Sequence, residues 1–244
     1  MQSVNLAKIS KTFATYSKQA SVYKRIQRFM KRLTFSPQAL YHMICQVFEL
    51  QGKVTLCMDR TNWKFGKTHI NYLVISIAYK GIAIPFIWKL LTDKKRGNSD
   101  FNDRKELFDQ LLRFIPVSDI DVVLCDREFI DAPWMRYLKS QGISFVLRAK
   151  ENLLLHKRDQ ASTKLKNGFK YLSPGRQSVL KKKHVVLGCE VYLCAKRLHD
   201  GRLLTLVSDR PGQEALTLYK RRWEIETLFA AMKKRGFNWE QTHM

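Results

Sequence analysis

The chain has 244 residues, 45% of them hydrophobic, and a formal net charge of +23 from 44 Lys+Arg against 21 Asp+Glu. That apolar content supports a packed globular core, so disorder is not the default, while the cationic excess is hard to explain by solubility alone and points to a polyanionic partner, nucleic acid ahead of an anionic membrane. The most apolar stretch, residues 70–91, is broken by Lys80, Gly81, Pro85 and Lys89, so it reads as two buried strands and not as a membrane span.

The N-terminus lacks the apolar core of a signal peptide. Cys45, Cys57, Cys125, Cys189 and Cys194 form no CxxC pair and no His/Cys metal spacing. They read as free thiols of a reducing cytoplasm, and zinc is not indicated.

Residues 1–48 contain no Asp or Glu. Over 22–33 the sequence has helical spacing with one apolar and one basic face, the latter including Lys24, Arg25 and Arg28. This region is expected to be a small helical unit whose basic face lies along phosphate.

From Gly52, KVTLCMD predicts a strand running into Asp59, and INYLVISIAY and GIAIPFIWKLL predict two more that turn at Lys80-Gly81. A polar loop, TDKKRGNSDFND, leads to an amphipathic helix over 106–114. A short apolar strand over 121–125 ends at Asp126, a helix over 134–140 is closed by Gly142, and 143–147 predicts another strand. Hairpin strands followed by alternating helices and strands give an α/β sheet of mixed direction. Residues 148–202 are Lys/Arg-rich, broken by glycines, and alternate like a basic β ribbon, as in HVVLGCEVYLCAKRL. LLTLVSD then resumes the core, and Pro211-Gly212 turns into a long closing helix.

Asp59 and Asp126 each follow an apolar β run, VTLCMD and DVVLCD. Ligands of open α/β sheets gather beyond the carboxyl ends of strands, and an Asp placed there costs stability unless its charge is compensated, as a divalent metal would do. On the closing helix, at 100° per residue, Tyr219, Arg222, Glu226 and Lys233 share an arc of roughly 60° beside an apolar arc of Leu218, Ile225, Leu228, Phe229 and Met232. The same geometry turns Glu224 elsewhere. The plain alternative is an i, i+4 pair of Arg222 with Glu226 on a wet face. Two strand-end Asp and one helix Glu make an all-oxygen set suited to a hard cation such as Mg²⁺, and two such ions can hold an in-line phosphoryl transfer. Arg222 and Lys233 then suit the phosphate, and Tyr219 suits hydrogen bonding to it or orienting Glu226.

The run from Tyr219 to Lys233 fits Y-x2-R-x3-E-x6-K and resembles the signature of the insertion-sequence-four family of bacterial transposases. LCMDRTNWKFGKTHINYLVISI and CDREFIDAPWMRYLKSQGISFVLRAKEN resemble that family's blocks around its first and second Asp, and KKRGNS and KKRGFNWEQTH are similar to further family segments. The likeness runs from about Gly52 to the end. It implies a ribonuclease H-like mixed sheet flanked by helices, with 49–148 and 203–244 as catalytic core, 149–202 as a β-rich insertion and 1–48 as a helical DNA-binding region.

The resemblance further implies Asp59, Asp126 and Glu226 as catalytic and metal-binding residues, with Mg²⁺ as cofactor and Mn²⁺ able to substitute. Tyr219, Arg222 and Lys233, with Lys24, Arg25 and Arg28, would contact DNA phosphate. The partner would be double-stranded DNA, both terminal inverted repeats and target, bound by a homodimer in the bacterial nucleoid. Relatives can flip a base onto an aromatic residue of the insertion, for which Phe169, Tyr171 and Tyr192 are candidates. Against the family pattern the chain reads as shortened at both ends. Two alternatives remain: a ribonuclease H-like nuclease using the same carboxylates, and a truncated, non-catalytic product that occupies transposon ends.

Overall fold

The computed structural model describes residues 4–65, 67–91, 97–157, 160–235, 237 and 239. The first part of the polar loop, residues 92–96 with the KKR of KKRGNS, and most of the terminal KKRGFNWEQTH segment lie outside them.

Three helices come first: α1 (Leu6–Ser10), α2 (Gln19–Arg32) and α3 (Pro37–Val47). Asn5 caps α1 and Ser36 caps α3, where Pro37 stands at the first position that has no amide to satisfy. α2 packs on α1 and buries only Val22. α3 buries Tyr41 and Ile44, and the Tyr41 ring packs against Phe86 and Phe114 of the core.

The core opens with three antiparallel strands, β1 (Val54–Phe65), β2 (Thr68–Tyr79) and β3 (Ile82–Leu90). Lys80 and Gly81 both have positive φ, the two-residue turn that matches the right-handed twist of a hairpin. There follow α4 (Phe101–Leu112), β4 (Ile120–Cys125), α5 (Ala132–Ser140) and β5 (Phe145–Ala149). α4 starts five residues before the sequence-predicted 106, because Asp100 and Asp103 form a reciprocal capping box. β4 runs parallel to β1 and β5 runs parallel to β4. Val122–Cys125 are fully buried, as expected of a parallel strand covered on both faces.

The 149–202 region supplies β6 (Leu154–Lys157), β7 (Gln160–Lys164), β8 (Gln177–Val179), β9 (His184–Val186) and β10 (Cys189–Arg197). These strands extend the same sheet: β10 pairs with β11 (Leu203–Ser208), which pairs with β5. The strand order is β3-β2-β1-β4-β5-β11-β10-β9-β6-β7, with β8 also on β10. The mixed α/β sheet flanked by helices is of the ribonuclease H-like type.

The chain then enters α6 (Gly212–Tyr219), tightens through a 3₁₀ turn at Lys220–Arg222, continues as α7 (Trp223–Ala230) and widens in a π-type turn at Ala231–Arg235. A single uniform closing helix, the sequence expectation, is thus interrupted twice. Alternation along the strands separates two cores. Leu56, Met58, Val123 and Cys125 face the layer that holds Phe108 of α4 and Trp134 of α5. Cys57, Val122, Leu124 and Val146 face Ala215 and Leu216 of α6 and Ile225 and Leu228 of α7. Burying Ile225 completely is worth about 2 kcal/mol, which anchors the helix that carries Glu226. No helix of the described residues is long and apolar enough to cross a membrane.

Candidate active site

Met58 and Cys125 are the last parallel partners of β1 and β4. The next residues, Asp59 within β1 and Asp126 just past the end of β4, therefore follow directly from two paired strands whose spacing is about 4.8 Å. Alternation turns both toward the α6–α7 face, since Cys57 and Leu124, two residues earlier on each strand, pack there. The sequence placed Asp59 at a strand end. β1 instead continues to Phe65 because its far half pairs with β2, from Asp59↔Val74 to Phe65↔Thr68. What ends at Asp59 is only the pairing with β4.

Arg222 reaches this point from the 3₁₀ turn. Its Nη1 lies 3.2 Å from Asp59 Oδ2, and its Nη2 donates to Glu226 Oε1. The i, i+4 pair expected on a wet face does form, but Arg222 is only 6% exposed and clamps Asp59 as well. Asp126 pairs with Arg148 Nη1 of β5 at 3.4 Å. Burial pushes the Asp59 carboxyl up to about 7; the Arg60 amide and Arg222 pull it down, and Glu128 and Asp126 push it up. For Arg222, burial disfavours the charge, but Tyr219, Glu226, Asp59 and Asp126 outweigh it and hold the guanidinium firmly protonated.

Tyr219 is buried beside Arg222, Asp126 and Arg148, and its hydroxyl has no hydrogen-bond partner. Lys233 Nζ donates to the Asn62 carbonyl on β1 at 2.7 Å. Glu224 pairs with Arg221 at 3.6 Å, and its other carboxylate oxygen is buried without a hydrogen-bond partner. Burial pushes the neighbouring Cys57 thiol up to about 12, and the Glu224 charge adds to it. Lys24, Arg25 and Arg28 sit on α2, exposed, apart from the carboxylate group. Arg25 and Arg28 line a groove of about 580 Å³ with Arg32, Phe29 and Thr34.

Two residues escaped the sequence reading, Arg60 and Glu128. Arg60 Nε lies 3.2 Å from Glu128 Oε1, and Nη2 lies 3.3 Å from Oε2. The available signal was a charged residue one position after Asp59 and another two positions after Asp126, in MDRT and CDRE.

The carboxylates, as they stand, are held by arginines: among the described residues no group of three acidic, cysteine or histidine side chains encloses a metal position. The donor chemistry nonetheless fits a hard divalent cation. The donors are all carboxylate oxygens, and the unpartnered Tyr219 hydroxyl lies beside them.

The family model described as Transposase DDE domain matches residues 50–244. The chain belongs to the DDE transposase family. Members of that family use divalent metal ions, and in this member Asp59 and Asp126 directly follow the last paired residues of the parallel strands β1 and β4. Among solved structures, the piggyBac transposase synaptic complex with hairpin DNA matches at a TM-score of 0.52 and 11% identity, over 95% of this chain and 55% of that one. The chain thus spans about half the length of that transposase, and the likeness shows the shared fold. Endonuclease V from Bacillus subtilis matches at a TM-score of 0.39 and 11% identity, over 87% of this chain and 90% of that one. No curated protein matches the chain.

Proposed function

We propose that this DDE transposase cuts transposon ends and joins the resulting 3′-hydroxyls to target DNA, and that it is of the insertion-sequence-four type. The observation that carries the reading is the placement of Asp59 and Asp126 directly after the last paired residues of two adjacent parallel strands, with Glu226 tied to Asp59 through Arg222. The YREK spacing from Tyr219 to Lys233 supports the finer family assignment.

Asp59, Asp126 and Glu226 would hold Mg²⁺, or Mn²⁺ in its place. Bound there, the metal supplies Lewis-acid stabilisation of a phosphoryl centre and lowers the pKa of an attacking water or hydroxyl. The chain's own groups do the rest. Arg222 neutralises Asp59 and Glu226 until a phosphate offers it a better bidentate partner. Tyr219 presents a buried hydroxyl with no other partner, suited to a phosphate oxygen. Lys233, docked on the Asn62 carbonyl, keeps a cation beside β1. The exposed Lys24, Arg25 and Arg28 of α2 track the backbone of double-stranded DNA. In the 149–202 insertion Phe169 is core and Tyr171 is 86% exposed with Lys170 over its ring, which favours Tyr171 for stacking a flipped base. The working form in this reading is a homodimer on two transposon ends, within the bacterial nucleoid.

One observation favours a second reading, a product that binds ends without cutting: the arginine clamp closes Asp59 onto Glu226. A duplex bearing the element's terminal repeats, incubated with protein and Mg²⁺ beside a scrambled duplex, separates the readings. A transposase nicks at the repeat boundary, a general nuclease cuts both duplexes, and a binding product shifts the repeat duplex without cutting it.

A further inference from the structure

The hydrogen-bonded ladder between β1 and β4 stops at Met58 and Cys125, one residue before the two aspartates. Past that point β1 pairs only with β2, while the chain after β4 turns away through Arg127–Phe129. Backbone pairing alone leaves the separation of Asp59 and Asp126 to two diverging segments. The side chains that cross this gap are Arg60 and Glu128, joined by a two-pronged pair at 3.2 and 3.3 Å.

Arg60 is itself fixed from two other sides. Its Nη1 donates to Asn71 Oδ1 of β2 at 3.1 Å, and its Nη2 donates to Asn98 Oδ1 at 3.3 Å. Asn71 is fully buried and donates to the Gly97 carbonyl at 3.0 Å, so part of the KKRGNS segment is bound into the same hub. The Arg60 and Glu128 side chains are 13% and 19% exposed, which limits screening by water. Strand alternation places Arg60 on the α4–α5 face, opposite Asp59. It braces the aspartates from behind and does not compete with Arg222 for them.

We infer that Arg60 and Glu128 are positioning residues that set the distance between Asp59 and Asp126, through a brace one residue beyond the first and two beyond the second. The inference rests on the reading of Asp59 and Asp126 as metal ligands. Ligand constellations must be held to about 0.5 Å, and outer partners that orient ligands are worth about 10–100-fold in metal affinity.

The test is Mn²⁺ binding by the full chain, followed by the paramagnetic resonance of free Mn²⁺, with thermal melting measured alongside. Glu128→Gln is expected to weaken Mn²⁺ binding about tenfold. Arg60→Lys keeps the charge but loses the fork, and it is expected to do the same should Glu128→Gln fold poorly. The double variant is expected to bind no more weakly than the worse single variant, since both remove one brace. Asp121→Asn breaks the Arg210 pair at the other end of β4 and serves as the structural control; it is expected to lower melting with Mn²⁺ binding unchanged. Wild-type affinity in both Glu128→Gln and Arg60→Lys, with Asp126→Asn defective, overturns the brace alone. Equal binding by wild type and Asp126→Asn overturns the metal-site reading, and the brace with it.

Discussion

Arg222 Nη1 lies 3.2 Å from Asp59 Oδ2, a contact between residues 163 positions apart that closes the last helical segment onto the first core strand. The same guanidinium holds Glu226, so one buried cation balances two of the three carboxylates.

Removing that cation leaves two acids facing each other. Breaking a buried pair costs about 3–5 kcal/mol, and the partial exposure of Glu226 puts Arg222→Gln near the lower end, at about 3 kcal/mol. Mg²⁺ is expected to raise the melting temperature of Arg222→Gln more than that of wild type, because the ion meets no competing guanidinium. Equal Mg²⁺ stabilisation of the two proteins contradicts the clamp.

The Asp59 carboxyl, raised by burial from 3.8 to about 7, makes stability depend on pH. Between these values the folded protein keeps a proton that the unfolded chain has released, so its contribution falls as pH rises from about 4 to about 7. The loss is on the order of a few kcal/mol. Urea unfolding of wild type and Asp59→Asn at pH 4.5, 6 and 7.5 (about one and a half units apart, bracketing the window) measures it as a fall in the stability of wild type relative to the variant as pH rises. A constant difference refutes the assignment. Mn²⁺ binding runs the opposite way and strengthens with pH, since the ligand must lose its proton.

Gly212 begins α6 where a Cβ would meet Val179 Cγ1 at 2.7 Å and Cys194 Cβ at 3.0 Å. Neither neighbour is a flexible chain end. Gly212→Ala is expected to cost about 1–3 kcal/mol by overpacking, read as a lower melting temperature. An unchanged melt means that α6 does not rest on β8 and β10 as closely as described.

The basic face of α2 bears on DNA binding separately from cleavage. Replacing Lys24, Arg25 and Arg28 by Ala is expected to flatten the slope of log affinity against log salt by up to about 2.7, at about 0.9 per phosphate contact. Melting stays the same, because all three side chains are exposed. An unchanged slope removes α2 from the DNA path.

Much of this was legible in the sequence because it is local. Apolar runs and the Lys80-Gly81 turn gave the core strands, and the helical phase put Arg222 and Glu226 on one face, where they pair. That phase survived an irregular helix, since the 3₁₀ turn at Lys220–Arg222 advances about 120° per residue and the π-type turn at Ala231–Arg235 advances less than 100°. Long-range pairing was not legible. The extension of β1 past Asp59 depends on β2, and the union of β10 with the main sheet depends on β11. Periodicity also could not show that Arg222 grips Asp59, or that Arg60 finds Glu128 across 68 residues.

In the proposed function Asp59, Asp126 and Glu226 act as one catalytic group. Its most direct test is Mg²⁺-dependent nicking of terminal-repeat duplex by wild type, Asp59→Asn, Asp126→Asn, Glu226→Gln and Glu224→Gln, with duplex binding measured for each. Asp59→Asn, Asp126→Asn and Glu226→Gln are expected to bind but not to nick, and Glu224→Gln is expected to nick. Nicking by Glu226→Gln together with its loss in Glu224→Gln would contradict that reading.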